Sequence, residues 1–414
     1  MTKDPKFIMM SLLFSALLKG TSAIMDKKRK FLQRLSHILG GSKQWKPLLC
    51  RGLKRLPLSS EHLGPPKDLI SAKDYASQNP LAFFEIIPEH SFSFPPFPLT
   101  YAVTGIGFKD NIPGIAHFPK SFVVILGHGR IYGGNGVIIT DDDRVLEETA
   151  IEWIPSPSQH SIFKKLKLPT LRHSSEKIAV VASKSSTCYF HWMFDILPRI
   201  ELLRRSGIHY DKLYINPLLH PFHKETCETL GLPTENMIFS DPKIHIKASE
   251  LIIPSLPAPS GSIPKWACDF LRTSFLKNYA PKKRSRIYIT RRNASSRKIV
   301  NEEELVEYLS RHGFKEAILE NLSVREQAEL FASAEMIVAP HGASLTNLVF
   351  CQPGTRVVEI FTPNYVNQCY WMLSQHQHID HHCILGSTKN LTSKQKEDLD
   401  VFVKMQELAS MLNT

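Results

Sequence analysis

Residues 336–360 read MIVAPHGASLTNLVFCQPGTRVVEI. MIVA at 336–339 and RVVEI at 356–360 are short apolar, β-branched runs of the kind that form strands. Between them, 343–350 reads as a helix. The same alternation extends outward in both directions. Strands are expected at 287–290 and 317–319, with helices at 302–311 and 323–334. A helix at 365–374 and a strand at 379–384 follow. Strands alternating with helices over short connections imply a parallel sheet covered on both faces. In such sheets ligands bind at the carboxyl ends of the strands.

The residues at those ends form a coherent set. Thr290, Arg291, Arg292 and then Arg297 follow the first strand, and Lys282, Lys283, Arg284 and Arg286 precede them. Guanidinium forks match phosphate oxygens in pairs. His341, Gly342 and Ala343 follow the third strand and open a helix that carries Asn347. Small residues at a helix start let a diphosphate approach the free backbone N–H groups. Glu359 ends the fourth strand, placed to accept hydrogen bonds from ribose hydroxyls. Each feature alone is ordinary: an arginine cluster is usually a solvated face, and a glycine before a helix is usually a turn. Together, on successive strand ends, they describe a nucleotide-diphosphate site.

Upstream, 178–182 (IAVVA) reads as a buried strand, 183–187 as a polar turn and 188–205 as a helix that Gly207 stops. His191 and Asp195 lie four apart on it and share a face. Further elements are expected at 213–215 and 251–253 (strands) and 220–230 (helix). The run PSLPAPSGSIP at 254–264 is the clearest domain boundary. The region before 178 says less. Strands at 122–126 and 137–140 are readable, the second leading through Asp141-Asp142-Asp143 into a hairpin. Gly127, Gly129, Gly133, Gly134 and Gly136 lack the Lys-Ser/Thr and helix of a phosphate loop.

Composition narrows the function classes. Of 414 residues, 43% are hydrophobic and 22% charged, ordinary values for a globular chain rather than a disordered one. Residues 1–55 hold thirteen Lys/Arg and two Asp/Glu, so of the net +12 only +1 is left for the rest. A near-neutral body offers no basic face for nucleic acid. The basic arm instead contains Lys27-Lys28-Arg29-Lys30 followed by apolar residues at helical spacing through 39, a helix suited to an anionic membrane surface. The run FIMMSLLFSALL at 7–18 is shorter than the ~20 residues of a membrane span. It has the shape of a secretory signal core, against which stand the basic cluster behind it and the alternative start at Met25. A cytoplasmic location with peripheral membrane contact is the expectation.

Cysteines at 50, 188, 227, 268, 351, 369 and 383 form no C-x-x-C pair and no disulfide framework. The stretch His376-Gln377-His378-Ile379-Asp380-His381-His382-Cys383 is dense in metal-ligand types, but on a strand alternate residues face opposite sides and cannot all converge. No metal and no resident cofactor are expected. Apolar positions at 399, 402, 405, 408, 409 and 412 predict a last helix, expected to pack back on the first domain.

Four pieces carry a resemblance: CYFHWMFDILPR at 188–199, YITRR at 288–292, IVAPHGASLTN at 337–347 and VVEI at 357–360. In this order they resemble glycosyltransferase family 61, also described as a domain of unknown function in capsular-polysaccharide-type proteins, over residues 178–385. The resemblance implies a GT-B-like architecture, two Rossmann-like α/β domains facing across a cleft. It also implies inverting, metal-independent transfer from a nucleotide-diphosphate sugar, a UDP-sugar foremost, to a glycan or lipid-linked acceptor. The corresponding division is a basic arm at 1–45, an acceptor-side domain at 46–264, a donor-binding domain at 265–390 and a final helix at 391–414. One of Asp195 and His191 is then expected as the base, Asp195 foremost, and the other as its orienting partner, with Thr290, Arg291, Arg292, Arg297, His341, Gly342, Ala343, Asn347 and Glu359 holding the donor. The alternative is a catalytically degenerate nucleotide-sugar-binding module, which would keep the arginines and misplace the His191–Asp195 pair.

Overall fold

The computed structural model describes residues 65–79, 82–98, 108–109, 114–152, 156–165, 167–277, 279–280, 284–363, 365–388 and 400–412. The apolar run at 7–18, the basic helix at 27–39, Cys50, Lys282 and Lys283 lie outside them.

The chain builds three main sheets. The central one contains β1 (Phe83–Ile87), β2 (Ser121–Gly127), β3 (Lys177–Val180), β4 (Lys212–Ile215), β5 (Met237–Phe239) and β6 (Glu250–Pro254), in the order β5-β4-β3-β6-β2-β1. Its β5-β4-β3-β6 half is parallel, and β2 and β1 add antiparallel. A second six-stranded sheet lies beside it, formed by Asp68–Ile70, Arg144–Leu146, Val137–Ile139, Arg130–Tyr132, His245–Lys247 and Arg172–His173 in spatial order. The glycine-rich stretch belongs here. Gly133 and Gly136 take left-handed φ of 72° and 67° in the turn joining Arg130–Tyr132 to Val137–Ile139, a role glycine fills without strain. The expected acidic hairpin follows, with Ile139 opposite Val145.

Between β3 and β4 runs α1, made of Tyr189–His191, a π turn at Trp192–Ile196 and Leu197–Ser206. Pro198 has no N–H to give the carbonyl four residues back, and the helix widens at that turn. Gly207, at φ 64°, ends it as expected. Helices α2 (Pro221–Thr229) and α3 (Lys265–Phe275) follow.

The C-terminal sheet is wholly parallel. It contains β7 (Ser285–Ile289), β8 (Phe314–Ala317), β9 (Ala334–Pro340), β10 (Arg356–Phe361) and β11 (Asp380–Leu385), in the order β8-β7-β9-β10-β11. Its helices are α4 (Glu302–Arg311), α5 (Val324–Ala332), α6 (Cys369–His376) and α7 (Met405–Leu412). Ser323 and Glu326 cap α5 reciprocally.

Three expectations change. The segment Ala343–Phe350 is 3₁₀ rather than α. The helix expected from 365 begins at Cys369, because Tyr365 to Gln368 are spent on a short pairing, Val366 with Phe108, and a turn. The last helix packs on its own sheet, with Leu408 buried among Val338, Val358 and Ile384, not on the first half.

The fold is thus α/β with mixed sheets and interspersed helices. One hydrophobic cluster runs from Val181 and Trp192 through Phe270 and Leu271 of α3 to Ile337 and Leu345, so the two halves share a core.

Candidate active site

The carboxyl end of β7 divides its cargo between two directions. Thr290 is buried, and its hydroxyl donates to Glu302 at 2.5 Å. The Tyr288 hydroxyl donates to the same oxygen at 2.7 Å. Arg292 reaches Glu316 at 2.6 Å and lies 3.9 Å from Glu302, half exposed. Thr290 therefore serves as an anchor onto α4, and Arg292 bridges β8 and α4. Arg291 turns the other way, over Gly342. A Cβ placed on Gly342 would stand 2.9 Å from the Arg291 Cζ, nearer than carbon atoms approach. Gly342 is extended (φ 172°), so glycine is required there for room and not for conformation. Arg297 holds a left-handed φ of 57°, a sparsely populated region for a non-glycine residue. Its guanidinium lies 4.9 Å from the Tyr365 ring centroid.

At the end of β9, His341 stacks on Phe361 (5.0 Å between centroids) and tilts against Tyr365 (5.3 Å) and Tyr370 (5.2 Å). Its Nδ1 is 2.5 Å from Glu359 Oε1. The other Glu359 oxygen is 3.0 Å from His381 Nε2, and His381 Nδ1 is 2.6 Å from Ser374 Oγ. Glu359 is fully buried, and both its oxygens are taken by histidines. Burial pushes its carboxyl pKa up, against the pull of His341. Burial pushes His341 down, with Arg297 and Arg291 adding to that effect and Glu359 opposing it. His381 falls to about 3 by burial, so it is neutral.

Asn347 has a structural partner set: its amide donates to Gln327 at 2.9 Å and its oxygen accepts from the Tyr189 hydroxyl at 2.9 Å. It ties α1 to Ala343–Phe350.

On α1, His191 Nδ1 is 2.7 Å from Asp195 Oδ2. Ser260 donates to the same oxygen at 2.8 Å and lies 3.2 Å from the imidazole. Asp195 is buried, and His191 is half-buried. Ser260 comes from the Pro/Ser-rich run that reads only as a connector, and no signal in the sequence marks it. Arg199, one turn beyond Asp195, is buried and donates to the carbonyls of Val180, Val181 and Pro254 at 2.9–3.1 Å. It knots the ends of β3 and β6 and sets the path of the segment that carries Ser260. Burial brings its pKa down to about 10.

The two clusters are neighbours. Ring contacts run from His191 to Phe190 (5.3 Å), to Tyr370 (5.8 Å) and to His341 (5.2 Å).

The histidine-dense stretch splits as strand alternation requires. His381 faces Glu359, whereas His382 lies 2.9 Å from Asp380. His376 Nε2 bonds the Ile263 carbonyl at 2.9 Å. Glu359, His381 and Cys383 have polar atoms within 4.8 Å of one another. The Glu359 oxygens are already committed to imidazole N–H groups, and burial holds the Cys383 thiol well above its ordinary pKa, protonated.

A parallel α/β sheet with ligand-binding residue types at its carboxyl edge is consistent with a Rossmann-like fold. Residues 189–358 match the family model described as Glycosyltransferase 61, and this match supports classing the chain as a glycosyltransferase. Among curated proteins none matches the chain. Among the described residues no helix is long and apolar enough to cross a membrane.

Proposed function

We propose that the chain transfers a sugar from a nucleotide-diphosphate donor, a UDP-sugar foremost, to a hydroxyl of a glycan or lipid-linked acceptor, with inversion and without a metal. The observation that carries this reading is the convergence of Arg291, Arg297 and His341 beside the His191–Asp195–Ser260 cluster, joined through Phe190 and Tyr370. Residues 265–390 would hold the donor and 46–264 the acceptor, the two facing across a cleft.

The diphosphate sits against Arg291, Arg297 and the backbone N–H groups at Gly342 and Ala343. Charge that develops on the leaving group is met there by groups already in position. Thr290 and Arg292 brace the arginine loop, Asn347 braces the segment after Gly342, and Glu359 orients His341. The acceptor hydroxyl loses its proton as its oxygen attacks the anomeric carbon. We assign that proton to His191. Asp195 Oδ2 receives both the His191 Nδ1–H and the Ser260 hydroxyl, which spends the carboxylate on holding the ring. The Nε2 lone pair is then the basic one, and the imidazole is the more exposed of the two groups.

Calorimetric titration with UDP, GDP and CMP, with and without magnesium, tests the donor site. One diphosphate should bind selectively without metal, and Arg291→Ala should lose it. Magnesium-dependent binding, or none to a folded protein, would refute the reading. The anomeric configuration of the product, read by NMR, tests inversion separately.

A further inference from the structure

We propose that residues 400–403, a strap ahead of the last helix, position the donor-binding arginines, with Gly386 and Asp400 as the positioning residues. This rests on the assignment of Arg291 and Arg297 to the donor diphosphate.

Both arginines stand on one loop, 290–301, between β7 and α4. The Arg291 guanidinium donates to the Ser296 carbonyl at 3.2 Å, so its placement depends on the residue next to Arg297. Arg297 holds its left-handed φ of 57°, a conformation that persists in a non-glycine residue only where the surroundings fix the chain on both sides. Upstream, β7 fixes it, together with the Ala294 N–H, which donates to the Arg291 carbonyl at 2.9 Å. Downstream, the strap does. The Asp400 carboxylate accepts the Lys298 N–H at 2.8 Å. The Val401 N–H donates to the Lys298 carbonyl, and the Val401 carbonyl accepts the Val300 N–H, both at 2.8 Å. Asn301 closes the set: its amide donates to the Val403 carbonyl at 2.9 Å and its oxygen accepts the Val403 N–H at 3.0 Å.

The strap is held on its other side by the chain leaving β11. Phe402 and Ser387 exchange backbone bonds of 2.8 and 2.9 Å, and the Gly386 N–H donates to the Phe361 carbonyl at 2.9 Å. Val401 and Val403 are buried beneath, among Val338, Val358 and Ile384. Phe361 ends β10, and the chain beyond it turns at Thr362 to present Tyr365, whose ring faces the Arg297 guanidinium and tilts against His341. The connections close a circuit: arginine loop to strap, strap to Gly386, Gly386 to Phe361, and Tyr365 back to Arg297. A shift of the strap therefore carries the arginine loop away from Tyr365 and His341.

Gly386 is the tight point of that circuit. A Cβ there would stand 2.1 Å from Val401 Cγ2 and 3.0 Å from the Phe402 carbonyl oxygen. Val401 is β-branched and buried, so its methyl cannot swing clear and the strap itself must move.

The test is titration calorimetry of the full chain with UDP-glucose, UDP-N-acetylglucosamine, UDP-xylose and GDP-mannose, with melting curves for each variant. Gly386→Ala should weaken whichever nucleotide sugar binds by at least about tenfold, the worth of one guanidinium–phosphate contact. Adding Val401→Ala removes the obstructing methyl and should recover affinity. Asp400→Ala should weaken binding about three- to tenfold, whereas Asp400→Asn keeps an acceptor oxygen and should bind as the unaltered chain does. A variant that melts well above the titration temperature is fully folded, so its Kd reports the site and not the stability. Should Gly386→Ala not fold, the exposed Asp400 carries the test. Unchanged Kd in folded Gly386→Ala and Asp400→Ala overturns the proposal and leaves the donor site standing. Equal losses in Asp400→Asn and Asp400→Ala overturn the role of Asp400. Failure of every nucleotide sugar to bind the unaltered chain, or unchanged Kd in Arg291→Ala and Arg297→Ala, removes the donor-site assignment and this inference with it.

Discussion

Replacing Gly342 by alanine separates the role of Arg291 from the stability of the fold. The added methyl would lie 2.9 Å from Arg291 Cζ and still closer to one of its terminal nitrogens. Gly342 is extended, a conformation alanine adopts without strain. The clash falls on the far end of a flexible side chain, which swings away. Removing glycine also narrows the unfolded ensemble by about 0.4–1 kcal/mol, so net stability should change by less than about 1 kcal/mol. Donor binding should suffer far more. A guanidinium–phosphate contact is worth about 1.5–3 kcal/mol, so displacing it weakens affinity roughly 10- to 100-fold. The assay is nucleotide-sugar titration of Gly342→Ala, Arg291→Ala and the double variant, with melting curves for each. If the methyl acts only by moving Arg291, it adds nothing in the Arg291→Ala background. Unchanged affinity in Gly342→Ala, or fully additive losses, would refute this reasoning.

The remaining predictions concern the catalytic cluster and the frame beneath it. Asp195→Asn should leave donor affinity intact and lower kcat about 10²–10⁴-fold, because the amide no longer selects the Nδ1–H tautomer; single-turnover rates check this. Ser260→Ala removes one of two donors to the same carboxylate oxygen and should cost only about 3- to 10-fold in kcat. Arg199→Ala leaves the carbonyls of Val180, Val181 and Pro254 without their partner; denaturant unfolding should show a loss of about 3 kcal/mol or more. His245 and His376 are held at about 4 by burial, below the ordinary 6.5. Depressed values mean that their stabilisation is complete above 6.5 and is lost as pH falls toward 4, by about 1.4 kcal/mol per pH unit for each. Melting temperatures between pH 7 and 4.5 should fall accordingly, and less so in His376→Gln.

The C-terminal half was legible because its signals are local. MIVA and RVVEI are apolar runs long enough to be strands and nothing else, and the helices between them obey helical spacing. The residues converging at the strand ends were legible as types, but not their division of labour. Arg291 and Arg292 are adjacent in sequence, yet one lies over Gly342 and the other bonds Glu316, because neighbouring side chains leave the backbone in different directions. Glu359 read as a strand-end carboxylate placed for ribose hydroxyls, whereas it lies inside the strand, fully buried, with both oxygens taken by His341 and His381. Ser260 was illegible, since its role depends on where β6 ends and on Arg199 knotting that end to β3. The 3₁₀ form of Ala343–Phe350 was also beyond reading: its packing against α1, α3 and α6 outweighs a local preference for α.

The position of α1 explains why one fold can hold the two clusters in register. Its first turn is fastened to the C-terminal half by the Tyr189–Asn347 hydrogen bond, and its later turn to the N-terminal sheet by Arg199. His191 and Asp195 lie between those fastenings, within or beside the π turn. A uniform α-helix here would require an N–H at Pro198 that does not exist, so the widened turn is dictated by sequence and fastened from both sides. An imidazole held this way cannot drift relative to His341, because Phe190 and Tyr370 fill the space between them. Loosening the Tyr189–Asn347 fastening should therefore reach the chemistry before the fold, since proton transfer tolerates less misplacement than packing does.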